Sequence, residues 1–216
     1  LVANKLWTGM AKETAHQLGT PISSLLGWLT ILDQHKVDEK LLSQIKSDIK
    51  RLETISARFS KIGSLPNKKH TKLSTVVQEL VSYMQIRIPK GISLCVNESG
   101  DESLVEINSE LITWVLENLI KNSIDAIRGE GSITIDLDWE NAAKISIIDT
   151  GNGNPKKLQK VIFNPGVTTK KRGWGLGLSL AKRIIEQYHG GKIKLLESSE
   201  KGSVFMIQLP LTQKQH

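Results

Sequence analysis

Apolar residues near the amino end recur with helical spacing over two successive stretches. In the first stretch they step by four and three residues, at Leu18, Ile22, Leu25, Leu29 and Leu32. In the second stretch the same steps join Ile45, Ile49, Leu52, Ser56 and Phe59, and the stripe is widened by Leu41, Leu42, Ile55 and Ile62. This heptad spacing is typical of helices that pack against other helices rather than against a sheet. The polar residues 33–39 between the two stretches predict a short connection in an antiparallel helical hairpin.

A single hairpin of this kind would leave half of its apolar stripe in water. Pairing two hairpins into a four-helix bundle removes that exposure. We therefore predict that residues 1–62 form a dimerisation domain and that the chain is a homodimer. Residues 63–70, Gly-Ser-Leu-Pro-Asn-Lys-Lys-His, have the composition of a linker.

After the linker, residues 71–216 alternate between helical and strand periodicity. Helices are predicted over 71–87, 109–128 and 176–188, and strands over 92–96, 104–107, 132–139, 144–149, 192–197 and 203–209. Thr71 and Ser109 are predicted N-caps, and Gly129 is predicted to stop the second helix. Because hairpin turns alternate with helices, we expect mixed strand pairing in an α/β sandwich. The predicted fold class is α+β, a helical hairpin followed by this sandwich.

Composition places the chain among ordinary globular proteins. Its 216 residues are 39% apolar and 24% charged, which fits one or two domains with their own cores. The single cysteine, Cys95, excludes an intramolecular disulfide, and its apolar run at 92–96 predicts an inert core position. No apolar run approaches the roughly 20 residues that cross a bilayer, and no signal peptide is evident. We expect a cytoplasmic fragment, with membrane attachment only through a segment upstream of Leu1.

The net charge of +7 is spread along the chain, with one exception. Residues 151–174 contain no acidic residue, and their cations are Lys156, Lys157, Lys160, Lys170, Lys171 and Arg172. A local cationic loop beside glycines favours phosphate over duplex DNA. We therefore expect no nucleic-acid partner.

His16 occupies an unusual position in the first helix. It lies about 180–240° around the helix from Leu18, Ile22 and Leu25, and so it faces solvent. Pro21, five residues on, removes a helical hydrogen bond and should bend the helix, and Gly19 loosens the same turn. The spacing alone leaves open whether His16 is reactive or is a surface histidine beside a tolerated kink.

Two polar groups mark the second half of the chain. Asn118 and Asn122 are four residues apart and share one helical face, where amide oxygens suit a hard cation such as Mg²⁺. Asp149 ends a strand before Gly151 and Gly153, so its carboxylate can accept a hydrogen bond from an exocyclic amine. The alternatives are a solvated helix face for the asparagines and a plain strand-end turn for the aspartate.

A glycine repeat at Gly173, Gly175 and Gly177 opens the last helix, whose N-terminal N–H groups favour phosphate. The repeat differs from the dinucleotide-binding fingerprint, and the chain has no P-loop. It is a weak signal in isolation. The order of the signals along the chain is what makes them specific.

That order resembles the sensor histidine kinases of two-component signalling, over nearly the whole chain. Residues 16–22 resemble the H box, 117–125 the N box, 149–153 and 173–177 the two glycine boxes, 162–170 the F box and start of the ATP lid, and 201–210 the closing strand. The resemblance implies a hairpin that forms a dimeric bundle, followed by a Bergerat-type ATP-binding domain.

The resemblance also implies roles for individual residues. His16 would accept the γ-phosphoryl group of ATP, and an aspartate of a response-regulator receiver domain would then receive it. Asp149 would bind the adenine amino group with Ser203 nearby, and Asn122, supported by Asn118, would hold Mg²⁺. The remaining expected nucleotide contacts are Lys121, Gly151, Gly153, Thr168, Thr169, Lys170, Lys171, Arg172, Gly173, Gly175, Leu176 and Gly177. Thr20, on the face of His16, would orient a water that dephosphorylates the regulator, unless its hydroxyl only bonds the helix backbone. Trp174 would pack in the lid or be a partly exposed aromatic residue.

Three positions depart from the family pattern. Gln17 stands where an acidic residue usually follows the phosphoacceptor, so it lacks the charge that stabilises an imidazolium. Asp125 replaces a basic residue, and Gly19 replaces an arginine. Gln17 leaves open a degenerate kinase that binds nucleotide as a scaffold. A hydrolytic ATPase is disfavoured, because Asn118 stands where those enzymes place a glutamate base.

Overall fold

The computed structural model describes residues 22–23, 25–32, 39, 42–43, 45–46, 49–50, 52–53, 67–168 and 175–212. The chain divides into two compact units, Leu1–Pro66 and Asn67–His216. The boundary falls inside the predicted linker 63–70. The last two linker residues, Lys69 and His70, already belong to the first strand of the second unit.

The described residues of the first unit up to position 53 are helical. Four of the predicted apolar positions form a buried cluster, with Ile45 packed against it: Ile22, Leu29, Leu42 and Ile49. Other predicted positions stay exposed, with Leu25 42%, Leu32 36% and Leu52 39% accessible. The cluster members lie seven residues apart in each stretch, so a single chain buries one heptad position and leaves the other open.

The second unit is built on a five-stranded mixed sheet. In chain order its elements are β1 (Lys69–Thr71), α1 (Leu73–Gln85), β2 (Ile92–Ser99), β3 (Val105–Ile107), α2 (Ser109–Ala126), β4 (Gly131–Asp138), β5 (Ala143–Asp149), α3 (Lys156–Gln159), α4 (Gly177–Arg183), β6 (Lys192–Ser199) and β7 (Gly202–Leu209). The sheet order is β2-β4-β5-β7-β6. The β2–β4 pair is parallel and the others are antiparallel, while β1 pairs with β3 in a separate small sheet.

One face of the five-stranded sheet carries the core. Alternate residues of β4, β5 and β7 are buried, for example Ile133, Ile147 and Phe205, because successive side chains of a strand point to opposite faces. Buried residues of α1, α2 and α4 complete the same core, as an amphipathic helix on a sheet requires. The prediction of a mixed α/β sandwich is confirmed.

Helix boundaries differ from the predicted ones at both N-caps. Asn108, not Ser109, caps α2, and its Oδ1 accepts from the Leu111 N–H at 3.0 Å. Lys72 precedes α1 without a side-chain cap, while Thr71 lies in β1 and donates its hydroxyl to the Lys69 carbonyl. Caps are extended residues just outside the helix, so neighbouring polar residues compete for the position.

Three further expectations differ in detail. Helix α2 ends at Ala126 rather than Arg128, and Gly129 lies beyond it with φ +83°. The last helix becomes a π-helix over Ile184–Tyr188. Cys95 is exposed, because Ile92 and Leu94 fill the core-facing positions of β2. Among the described residues, no helix is both long enough and apolar enough to span a membrane.

A buried histidine anchors the start of α2. His189 is 3% exposed, and its Nε2 accepts from the Asn108 backbone N–H at 3.0 Å. Its Nδ1 lies 2.8 Å from the Ile184 carbonyl, which can only accept, so Nδ1 carries the proton. Burial lowers the pKa of His189, the Ile184 hydrogen bond opposes this shift, and the positive charge of Lys68 adds to it.

We predict that the free energy of unfolding decreases as pH falls below about 6.5, the ordinary pKa of an unfolded histidine. In that range His189 takes up a proton in the unfolded chain but resists protonation in the folded chain. A protonated ring could not accept the hydrogen bond from the Asn108 N–H. Urea unfolding at pH 7.5 and 5.5 measures the loss, which for one group is at most about 1.4 kcal/mol per pH unit.

The His189→Gln variant should show a flatter pH dependence than the parent chain. His70→Gln is the matched control, because His70 is exposed and its ring lies beside the Thr212 hydroxyl rather than in the core. Equal pH slopes for His189→Gln and the parent would contradict this role of His189.

Candidate functional site

The carboxylate of Asp149 is the centre of the candidate site. Asp149 ends β5, is 4% exposed, and its Oδ1 accepts from the backbone N–H groups of Gly151 (2.9 Å) and Ser203 (3.3 Å). Its Oδ2 accepts from the Ser123 hydroxyl at 3.0 Å. Asp149 and Ser203 are register partners on β5 and β7, so strand pairing itself brings the Ser203 N–H to the carboxylate.

The glycines that follow Asp149 allow the turn to pack closely against neighbouring backbone. A Cβ atom on Gly151 would lie 2.6 Å from Cβ of Ala126, at the end of α2. Gly153 has φ +64°, and a Cβ there would collide with the Ser199 carbonyl oxygen. The Asn152 N–H donates to the Ala126 carbonyl at 3.0 Å. The glycines therefore serve the packing of the turn onto α2 and β6, a reason that sequence reasoning did not give.

The predicted asparagine pair lies on α2. Asn118 and Asn122 are both half-buried. A Cβ built on Gly177, the first residue of α4, would be 3.5 Å from Asn118 Oδ1, an ordinary van der Waals separation. The start of α4 and the Asn118 amide therefore lie side by side.

Lys121 is on the exposed side of the same helix. Its Nζ lies 2.6 Å from Glu117 Oε1, one helical turn earlier. The Lys121 side chain is 55% exposed and that of Glu117 is 13% exposed, so the lysine end of the pair lies at the helix surface.

The ends of the predicted lid meet at two glycines. The Gly166 N–H donates to the Gly175 carbonyl at 3.0 Å. Gly175 has φ +65°, and a Cβ there would lie 2.5 Å from the Gly166 carbonyl carbon. Thr168 is exposed beside this junction. The hydroxyl of Ser179 and the N–H of Leu180 both bond the Leu176 carbonyl, which begins α4.

The Ser203 side chain belongs to a network beside the carboxylate. Its hydroxyl is 3.0 Å from that of Ser198, which accepts from the Asn154 backbone N–H at 2.7 Å. Gln159 of α3 donates to the carbonyls of Asn154 and Ser198. This network fixes the loop after the glycine turn against β6.

The structure thus brings the predicted residues of the second unit onto adjoining elements. Asp149 and Ser203 are joined directly, and Asn118 adjoins Gly177. The remaining predicted residues lie outside the described part of the chain: His16, Gln17, Thr20, Thr169, Lys170, Lys171, Arg172, Gly173 and Trp174.

One site residue was missed by sequence reasoning. Ser123 is buried and bonds Asp149, although it had no assigned role. It interrupts the apolar face of α2 formed by Leu116, Leu119 and Ile120, and a polar residue on such a face was the available signal.

Known proteins resemble this chain in sequence and fold. Residues 107–213 match the histidine kinase-, DNA gyrase B- and HSP90-like ATPase family. The nucleotide-free catalytic domain of the histidine kinase ThkA is 35% identical with a TM-score of 0.61, and the match covers 67% of this chain and 96% of that one.

Two matches extend over nearly the whole chain. ThkA in complex with the response regulator protein TrrA is 30% identical with a TM-score of 0.62, covering 96% of this chain and 63% of that one. Sporulation kinase C of Bacillus subtilis (strain 168) is 31% identical over 209 residues, which is 94% of this chain and 48% of the relative. The chain spans about half, or less, of the length of the first curated relatives.

The family match spans residues 107–213, and that region carries the buried Asp149 and the asparagine pair. The predicted resemblance is confirmed. The chain belongs to the sensor histidine kinases of two-component systems, and its second unit is the ATP-binding catalytic domain of that family.

Proposed function

We propose that this chain is an ATP-dependent protein-histidine kinase that phosphorylates its own His16 and passes the phosphoryl group to an aspartate of a response regulator. The observation that carries the proposal is the buried Asp149 carboxylate, which is fixed by two backbone N–H groups and faces the helix that holds Asn118 and Asn122.

Adenine recognition follows from the hydrogen bonds of Asp149. A carboxylate offers about four lone-pair positions, and the described donors use three of them. The position left on Oδ2 suits the exocyclic amine of adenine. Ser203 lies next to it and can hold a bridging water.

The residues on α2 fit a magnesium ion bound together with nucleotide. Amide oxygens are hard ligands, and Mg²⁺ usually takes only one or two protein ligands beside phosphate and water oxygens. Among the described residues, no group of three or more His, Cys, Asp or Glu side chains could hold a metal alone. Asn122, supported by Asn118, is therefore the proposed ligand. When bound, the ion neutralises charge on the phosphates.

The phosphate tail would meet the cationic lid. Lys121 lies on α2, and the basic residues Lys170, Lys171 and Arg172 precede the glycines that open α4. Cations and helix N–H groups near the γ-phosphate stabilise the charge that develops during transfer.

In the transfer step, neutral His16 would attack the γ-phosphorus. An N–P bond forms, the bond to the bridging oxygen breaks, and ADP leaves with the electron pair. The Gln17 side-chain carbonyl can accept from the other ring N–H and fix the tautomer. The aspartate of a receiver domain then takes the phosphoryl group.

The exposed leucines of the first unit support a homodimer. Leu25, Leu32 and Leu52 alternate with buried members of the same stripes, and a second copy would cover them in a four-helix bundle. The complex of ThkA with its response regulator supports a receiver domain as the second partner. Thr20 is the proposed phosphatase residue, and we expect the fragment to act in the cytoplasm.

A second candidate function rests on Gln17. Without a neighbouring carboxylate, the imidazolium that develops at His16 is less stabilised. A chain that binds nucleotide but transfers nothing would act as a scaffold for a receiver domain or another kinase.

We predict that incubation with γ-labelled ATP and Mg²⁺ labels the chain, and that His16→Ala abolishes the label. The proposed phosphoryl acceptor is a ring nitrogen of His16, so loss of the imidazole prevents formation of the phosphorylated chain. His70→Gln should keep full labelling, because His70 is an exposed histidine of β1. Release of free phosphate alone would indicate a hydrolase, and bound but unreacted nucleotide would indicate the scaffold.

We predict that Asn122→Ala weakens Mg²⁺-dependent ADP binding at least about tenfold, because the proposed ligand oxygen is lost. The matched control is Asn97→Ala, since Asn97 is an exposed amide of β2 that bonds Asp136. Calorimetric titration with and without Mg²⁺ measures the effect. Equal affinities for both variants would remove Asn122 from the metal site.

We predict that Gln17→Glu increases the initial rate of autophosphorylation, by about ten- to a hundredfold, because a carboxylate stabilises the developing imidazolium. The measurement is the rate of label incorporation at saturating ATP. An unchanged or lower rate would count against a role for residue 17 in the rate of transfer.

A further inference from the structure

Ser123 connects the adenine carboxylate to helix α2. It is 1% exposed and lies one residue after Asn122. Its hydroxyl is 3.0 Å from Asp149 Oδ2, and since an ionised carboxylate only accepts, the hydroxyl donates. No other described side chain donates to Asp149.

The two oxygens of Asp149 are held in different ways. Oδ1 accepts from the backbone N–H groups of Gly151 and Ser203, which any sequence with the same turn and strand pairing would supply. Oδ2 is held by one side chain. The orientation of the ligand-facing oxygen therefore depends on the identity of residue 123.

The helix itself does not require a serine at this position. Alanine is the stronger helix former, and a serine inside a helix commonly bonds a carbonyl of the preceding turn. In Ser123 the hydroxyl instead points to a carboxylate 26 residues away in the chain. Because this buried hydroxyl bonds a distant carboxylate, we infer that the serine serves to hold Asp149.

We propose that Ser123 is a positioning residue for purine selection, which holds Asp149 Oδ2 as an oriented acceptor and so favours a 6-amino purine over a 6-oxo purine. The inference rests on the proposed nucleotide function. Donation from Ser123 leaves one acceptor position on Oδ2, which the amine of adenine satisfies. The oxygen of a 6-oxo purine is also an acceptor, so it could form no hydrogen bond with Asp149 Oδ2.

Ser74 offers a matched control within the same unit. Its hydroxyl donates to Glu102 Oε2 at 2.9 Å, while its backbone N–H donates to Oε1 of the same carboxylate at 2.9 Å. It is 8% exposed and lies on α1. Ser74→Ala therefore removes the same kind of serine–carboxylate bond from a place with no role in the site.

The test titrates ADP and inosine diphosphate, each with Mg²⁺, into the 216-residue chain and its variants by calorimetry. We expect the parent chain to prefer ADP. Ser123→Ala should weaken ADP binding about tenfold, as for loss of a bond to a charged group, and change inosine diphosphate binding less than about twofold. Ser74→Ala should leave the preference for ADP as it is in the parent.

The outcomes separate this inference from the proposed function. If the parent binds neither nucleotide, the proposed function fails. If the parent binds ADP and Ser123→Ala binds it equally well, or loses both nucleotides by the same factor, the role of Ser123 in selection is wrong.

If Ser123→Ala does not fold by circular dichroism, Ser123→Thr and Ser123→Val replace it. The two side chains have nearly the same shape and differ by the hydroxyl, so any strain is shared. Threonine should keep the preference for ADP and valine should lose it. Equal preferences would overturn the proposal.

Discussion

A buried carboxylate must find hydrogen-bond donors, and at Asp149 the donors come from three separate elements. The turn after β5 supplies the Gly151 N–H, β7 supplies the Ser203 N–H, and α2 supplies the Ser123 hydroxyl. Leaving an ionised carboxylate unsatisfied in the interior would cost far more than the roughly 2–7 kcal/mol of a neutral polar group. The carboxylate therefore fixes the turn, the sheet and the helix relative to one another before any ligand binds.

Helix α2 is held in place by contacts at its start, its middle and its end. At its start, the Asn108 N–H is bonded to buried His189, and the Asn108 side chain donates to the Asn67 carbonyl at 2.9 Å. Near its middle Asn118 adjoins Gly177, and at its end Ser123 and Ala126 hold the Asp149 turn. Asn67 is the first residue of the second unit, so the Asn108–Asn67 hydrogen bond joins the start of that unit to α2.

Much of the fold could be predicted from sequence, because strands such as β4 alternate clearly and α2 has a long apolar face. The predictions were wrong where the outcome depended on the position of a single residue. Asn108 and Ser109 both suit an N-cap, and only the backbone path selects between them. Cys95 sits in an apolar run, yet Ile92 and Leu94 take the inward face of β2.

In the candidate site, local motifs could be predicted from sequence and long-range contacts could not. Motif order identified Asp149, Ser203 and the asparagines, because each motif is local in sequence. Ser123 could not be assigned in this way, since its partner lies 26 residues away and is reached only when α2 packs on the sheet. Gly151 and Gly153 remain predicted nucleotide contacts, and within the chain their close neighbours are Ala126 and Ser199, which sequence alone did not indicate.

The first unit presents the opposite situation, a core that one chain does not complete. Ile22 and Leu29 are buried while Leu25 and Leu32, at the other heptad position, stay exposed. Fully burying one leucine contributes about 1.5–3 kcal/mol, and Leu25 and Leu32 are already more than half buried, so covering each of them in the proposed bundle adds on the order of 1 kcal/mol. Folding of the hairpin and association of two chains are then linked by mass action. Under this proposal, the helix predicted to carry His16 is most stable where a second chain is present, and the phosphoacceptor is presented by the dimer rather than by a single chain.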